Sequence, residues 1–291
     1  MAISGVSTQA SLNSEKAAEP ETALEHQLGD ELEPYLTDTT LANELTAIHG
    51  LPKGAGPGVL IHSLLESCGR AGFKNCLLPQ PLAAQLIANH FSQADWQVHH
   101  QTLADYLQQW LNMPLLADQL SLAKLNEADY QVEMEFLLGA DEINGVDIAK
   151  LDQLIIQQTF QAKPRPALAS GIISGLLKGF IDLVFVHQGQ YFVADYKFNS
   201  LGENAAAYSQ AGLEASLLAK RYDLQMLIYL LALHRLLKTR LGADYNFERH
   251  IGGALYVFLR GVEHPGHGIF HFKPTQTLLE TLDQLFQGVG S

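Results

Sequence analysis

Thiols are scarce in this sequence: its 291 residues include only Cys68 and Cys76. Two cysteines cannot build a four-thiolate zinc or iron–sulfur site, and these two form no Cys-x-x-Cys pair. At this length they do not suggest a disulfide scaffold either, so a reducing cytosol is the expectation. Long apolar runs are missing too. The longest, Met226 to Leu233, falls far short of the roughly 20 residues that a spanning helix needs. The N-terminus lacks a basic stretch followed by an apolar one, so no secretory signal is expected. These absences point to a soluble, cytoplasmic protein with no membrane partner.

Basic residues are few: 18 Lys and Arg stand against 31 Asp and Glu, a net charge of −13. That excludes coating nucleic acid by bulk positive charge, because such binding is driven by counterion release onto Lys and Arg. Local phosphate contacts remain open. The acidity is uneven, with nine carboxylates but only one base, Lys16, within residues 1–44. Residues 1–45, rich in Ala, Ser, Thr and Glu, read as an acidic, poorly ordered linker. Residues 46–291 read as one nearly neutral folded domain, with no internal repeat. At 47% hydrophobic residues overall, the chain can bury a sizeable core.

Periodicity places elements along this body. The Gly- and Pro-rich stretch 51–58 breaks the chain, and Leu60, Ile61, Leu64 and Leu65 then recur at helical spacing. Further helices are expected near 80–92, 103–112 and 147–160, one long helix over 205–241, and a last one near 275–288. Residues 131–138, 176–186 and 191–196 read as strands, the last two joined by a hairpin turn at 187–190. The mostly apolar 251–259 reads as a buried strand. The result is a mixed α/β domain with one sheet.

The hairpin carries the candidate chemistry. Asp182 lies within the apolar Phe-Ile-Asp-Leu-Val-Phe, and Asp195-Tyr-Lys197 lies on the following strand. Period-two alternation sends Asp195 and Lys197 to one face and Tyr196 to the other. Asp182 can approach Asp195 across the hairpin. Two converging carboxylates repel unless a cation sits between them, and hard oxygen donors suit Mg²⁺. Taken alone, the residues equally allow a structural Asp195–Lys197 pair with Asp182 satisfied by backbone donors. His62 and Glu66, four apart, share one helical face, where a histidine can equally be a packed core residue. Glu133 and Glu135 are most simply solvent-facing.

Six segments in order, GPGVLIHSLLE (56–66), QVEMEFLL (131–138), LLKGFIDLVF (176–185), VADYKFN (193–199), KRYDLQMLIYLLALHR (220–235) and GGALYVFLRGVEHP (252–265), resemble the C-terminal nuclease domain of the RecB family. This is the beta subunit of the RecBCD helicase–nuclease (exodeoxyribonuclease V), within the PD-(D/E)XK superfamily. The resemblance covers about residues 50–275. It implies a restriction-endonuclease-like α/β core, a mixed central sheet flanked by helices. It also implies a Mg²⁺-dependent DNA nuclease of recombinational repair, with DNA and RecC- and RecD-like subunits as partners. By position, His62, Asp182 and Asp195 match the metal-binding residues and Lys197 the catalytic lysine, making Asp182, Asp195 and Lys197 the catalytic set. Glu133 matches an acidic residue lining the site, and Gln225 and Tyr229 a Q-x-x-x-Y helix motif, with Tyr222 one turn earlier.

Two features depart from the family pattern. Phe198 replaces the small polar residue of Asp-Tyr-Lys-Ser-Asn; because it faces away from Lys197, altered packing is expected rather than lost catalysis. The Gly-x-x-x-x-Gly-Lys-[Ser/Thr] loop of the family's helicase part is absent, so no ATP hydrolysis is assigned. The expectation is a fragment or separately encoded nuclease part, or a leader left from the linker that follows the helicase. The rival reading is a catalytically silent nuclease-like module that serves assembly or regulation. Lys220, Arg221, Arg235, Lys238 and Arg240 are expected on a solvated helix face, and His264, His267 and His271 at a loop and strand edge.

Overall fold

The structure, a computed structural model, describes residues 48–141 and 145–288; the acidic segment 1–45 lies outside them. Helix α1 (Ala55–Arg70) starts inside the Gly- and Pro-rich stretch that reads as a chain break, with Gly54 as its N-cap at φ 105°. Gly56, Pro57 and Gly58 occupy its first turn, where the backbone N–H groups have no intrahelical acceptor, so a proline costs little there. Helices α2 (Pro81–His90) and α3 (His100–Asn112) follow, then strand β1 (Tyr130–Ala140). A short strand β2 (Val146–Asp147) leads into α4 (Ile148–Gln158), and β3 (Ile172–Ile173) pairs back onto β2.

The hairpin is β4 (Gly175–His187) and β5 (Gln190–Lys197). Its two-residue turn has positive φ at both Gln188 and Gly189, as the right-handed strand twist favours. Helices α5 (Gln210–Ala219) and α6 (Tyr222–Leu241), strands β6 (Ile251–Phe258) and β7 (Ile269–Phe272), and helix α7 (Gln276–Phe286) complete the chain. No helix among the described residues is long and apolar enough to cross a membrane.

The five-stranded sheet has the order β1-β4-β5-β6-β7, antiparallel throughout except for the parallel β5–β6 pair. Helices cover both faces. One layer packs α4, α5, α6 and α7 against Met134, Phe136, Val193 and Tyr256. The other packs α1, α2 and α3 against Leu183, Phe185, Tyr196 and Leu255. Close docking of α1 needs a glycine: a Cβ on Gly69 would meet Val132 Cγ1 of β1 at 2.3 Å.

The single helix expected over 205–241 is two helices. The chain breaks at Arg221, which adopts left-handed backbone at φ 56°, a conformation costing about 1–2 kcal/mol for a non-glycine residue. A buried ion network holds it there. Arg221 Nε donates to Asp223 Oδ1 at 3.1 Å, its Nη2 lies 2.6 Å from Asp152 Oδ1, and its Nη1 donates to the Pro166 carbonyl at 2.7 Å. Arg165 Nη1 donates to the other oxygen of Asp223 at 2.7 Å. Arg221 therefore does not share the solvated face expected for it. Arg235 and Lys238 are likewise occupied, both paired with Asp283 of α7.

Candidate active site

The site arises where the sheet forks. The β4–β5 ladder runs from His187 opposite Gln190 to Leu183 opposite Ala194, and no further. Beyond that pair β4 stays with β1 as far as Gly175, while β5 stays with β6 to Lys197 opposite Phe258. Asp182 and Asp195 occupy the next position on each prong, directly across from one another. Leaving the ladder frees the Tyr196 N–H, and it donates to Asp182 Oδ2 at 2.7 Å. A buried backbone donor at a sheet fork needs an acceptor, and here a carboxylate supplies it.

The other ribbon changes face at the same level. Glu133 has φ 47° inside β1, opposite Asp182 in the register set by Val132–Leu183 and Met134–Ile181. Val132 and Leu183 pack on the α1 side, whereas Met134 and Ile181 pack on the α6 side. Glu133 is therefore half-buried and turned toward the fork, while Glu135 stays exposed and pairs with Lys178 at 3.3 Å. The solvent-facing expectation holds for Glu135 but not for Glu133.

Helix α1 brings His62 to one side of the fork, with Nδ1 3.4 Å from Asp182 Oδ2. Helix α6 closes the other side. Lys197 Nζ lies 2.8 Å from Asp195 Oδ2 and donates to Gln225 Oε1 at 3.2 Å, and Gln225 Nε2 donates to Tyr229 Oη at 3.0 Å. The spacing of four residues puts Gln225 and Tyr229 on one helical face, so the amide is held from behind. Tyr222 places its ring 4.2 Å below the ammonium, a cation–π contact. Tyr256, opposite Asp195 on β6, presents its ring at 5.6 Å and its hydroxyl 2.8 Å from Gln225 Oε1. Sequence reading treats Tyr256 as part of an apolar strand; the hint that it missed is a lone phenol there, which needs a polar partner once buried.

The electrostatics follow from crowding acids away from water. Burial, then the Asp182 and Glu66 carboxylates, push Glu133 up to about 7. Burial and the Asp182 charge push Asp195 up to about 6 against the pull of Lys197. Burial opposes a charge on His62, but the Asp182 carboxylate outweighs it and raises the imidazole to about 9. Asp182 goes the other way despite its burial, held low by His62 and the Tyr196 N–H. Each aspartate is thus neutralised by a side-chain cation, and among the described residues no three His, Cys, Asp or Glu side chains close round an ion as they stand. The donor chemistry nonetheless fits a hard divalent cation. It offers opposed carboxylates, an imidazole beside them, and an Asp195 Oδ2 that is buried without a well-aligned hydrogen bond.

A profile of the PD-(D/E)XK nuclease superfamily matches residues 40–290. The chain belongs to this superfamily. It is 40% identical over 243 residues to RecBCD enzyme subunit RecB of Escherichia coli (strain K12), covering 83% of this chain and 20% of that protein. It is 35% identical over 254 residues to RecB of Haemophilus influenzae, covering 85% and 20%, and 33% identical over 279 residues to RecB of Mycobacterium tuberculosis, covering 84% and 25%. The chain therefore spans a fifth to a quarter of the length of these relatives. The sheet and its flanking helices are those of a PD-(D/E)XK nuclease.

Phe198, the departure from the family pattern, packs away from Lys197 in the α1–α3 layer. Its ring lies 4.0 Å below the Arg260 guanidinium and meets Trp110 edge-on. Replacing Phe198 by serine is expected to cost about 3–5 kcal/mol in urea unfolding, because the surrounding pocket is built for a ring. His264 and His267 contact each other in the loop after β6, and His271 lies on β7 with Nε2 3.0 Å from the Gly252 carbonyl oxygen, as expected of a loop and strand edge.

Proposed function

We propose that this domain is a Mg²⁺-dependent deoxyribonuclease of the exodeoxyribonuclease V type, hydrolysing phosphodiesters during recombinational repair of double-strand breaks. The carrying observation is the fork, which sets Asp182 and Asp195 opposite one another with Lys197 two residues beyond. Asp182, Asp195 and His62 are the residues that would hold the metal. When bound, Mg²⁺ supplies Lewis-acid stabilisation of the charge that develops on a phosphoryl oxygen, together with a water of lowered pKa. Lys197, fixed by Gln225 and the rings of Tyr222 and Tyr256, balances the two acids and orients the attacking water at its ammonium. Glu133 adds an acceptor on the β1 side of the fork. Gln225 and Tyr229 act through Lys197.

Delivery of DNA by RecC- and RecD-like subunits in a cytoplasmic complex is part of the proposal. Acidic residues outnumber basic ones by 31 to 18, and several exposed cations are paired with carboxylates, as in Lys53–Glu203, Arg70–Glu66, Lys178–Glu135 and Lys273–Glu248, so bulk surface charge does not favour gathering phosphate. The test is degradation of linear single- and double-stranded DNA with Mg²⁺ or with EDTA. Shortening with Mg²⁺ and none with EDTA is expected. Intact DNA from folded protein that also binds no Mg²⁺ in a calorimetric titration overturns the reading in favour of a silent module.

A further inference from the structure

Taking the fork as the nuclease site, we propose that Arg260 is the positioning residue that sets the His62 helix against the strand end carrying Lys197. Arg260 follows β6 and is only 1% exposed. Its Nε donates to the Phe198 carbonyl at 2.9 Å, one residue past Lys197. Nη1 donates to the Ile48 carbonyl at 2.6 Å, and Nη2 donates to those of Pro52 at 2.6 Å and Leu51 at 3.3 Å, in the segment that leads into α1. One guanidinium thus bridges its own stretch after β6, the strand end next to Lys197, and the segment that enters α1 ten residues before His62.

Arg260 has no carboxylate partner among the described residues. Burial draws its pKa down to about 10, which records the desolvation its charge endures. A buried cation satisfied only by carbonyls is weak as a source of stability, since an apolar side chain of similar volume often does as well. Its distinctive contribution is directional. The planar fork presents donors at fixed, divergent angles, which a lysine ammonium cannot reproduce. Contacts of Ile61, Leu64 and Leu65 hold α1 on the sheet but do not fix where along it the helix stops. The same segment reinforces the clamp: Trp110 Nε1 donates to the Leu259 carbonyl at 2.9 Å, the Ile48 N–H donates to Tyr106 Oη at 3.1 Å, and Tyr106 Oη donates to Glu263.

The test compares Arg260→Lys and Arg260→Met with Leu279→Ala, a core truncation in the opposite layer that serves as a destabilised control. Amide hydrogen exchange is followed without metal, and DNA cutting well below each melting temperature. In both Arg260 variants, exchange is expected to quicken at residues 48–52 and in the first turns of α1 while the β4–β5–β6 ladders keep the protection seen in Leu279→Ala. Because a displacement near 1 Å at a reacting group can cost about 10²-fold, kcat is expected to fall about 10²-fold. KM for DNA should move less than about threefold, as for a residue that does not touch substrate. Exchange that rises evenly over the sheet, or kcat in Arg260→Lys equal to that of Leu279→Ala, overturns the proposal. A wild-type protein that cuts nothing defeats the nuclease reading alone; unchanged exchange over 48–62 in the variants would still defeat the clamp.

Discussion

Asp195→Asn is expected to abolish DNA cutting, by on the order of 10³-fold or more, while leaving a folded protein. The magnitude follows from losing a preorganised charge at the reacting centre, where a single electrostatic group is worth 10²–10³ and a metal ligand at least as much. The folded state should tolerate the change. Asp195 is a buried acid placed opposite a second acid, so its charge is a burden on the metal-free fold. An asparagine keeps the shape, and the Lys197 ammonium retains Gln225 and two tyrosine rings. Product release from end-labelled linear DNA with Mg²⁺, alongside a thermal melt by circular dichroism, checks both halves. Cutting at the wild-type rate by the folded variant would remove Asp195 from the mechanism and with it the site at the fork.

A second buried aspartate should behave in the opposite way. Asp223→Ala is expected to destabilise the domain by about 3–5 kcal/mol, the usual consequence of removing one partner from a buried ion pair. Asp223 is fully buried and accepts from both Arg221 and Arg165, whose side chain is itself fully buried. Arg221 keeps Asp152, but Arg165 retains only the neutral Thr159, Lys163 carbonyl and Phe160 ring, leaving a guanidinium in the core without a carboxylate. At roughly 2–4 °C per kcal/mol for a domain of this size, the melting temperature should fall by about 10 °C. Differential scanning calorimetry reads this directly; a shift below about 3 °C would mean that solvent or another group already compensates the network. Cutting, measured well below the new melting temperature, should survive, because Asp223 holds the start of α6 rather than the phosphodiester. Two aspartates of similar burial are therefore expected to part company, loss of one telling on DNA cutting and loss of the other on stability, according to whether they face another acid or a pair of arginines.

Much of the site is legible in one dimension because its central part is local. A two-residue turn at Gln188-Gly189 sets the register of β4 on β5, and strand alternation then opposes Asp182 to Asp195 and aligns Lys197 with Asp195. The i,i+4 rule likewise pairs Gln225 with Tyr229, and helical spacing of apolar residues marks α1, α2, α3, α4 and α7. Short-range periodicity and turn chemistry are written in neighbouring residues, so they can be read there.

What the sequence does not disclose depends on contacts between distant segments. The fork exists because β5 leaves β4 to pair in parallel with β6, more than fifty residues downstream, and this alone brings Tyr256 to Asp195. The change of face at Glu133 reflects packing by α1 on one side and α6 on the other, not any pattern in residues 131–138. The break at Arg221 runs against a helical periodicity that is otherwise continuous. It is set by acids on α4 and α6 and by the Pro166 carbonyl, whose combined hold on one guanidinium outweighs left-handed backbone. The sequence alone thus determined the hairpin, its acids and its lysine. Tertiary structure decided how far those groups are buried, which cations neutralise them and which helices frame them, because desolvation and ion pairing depend on what the folded chain packs around each group.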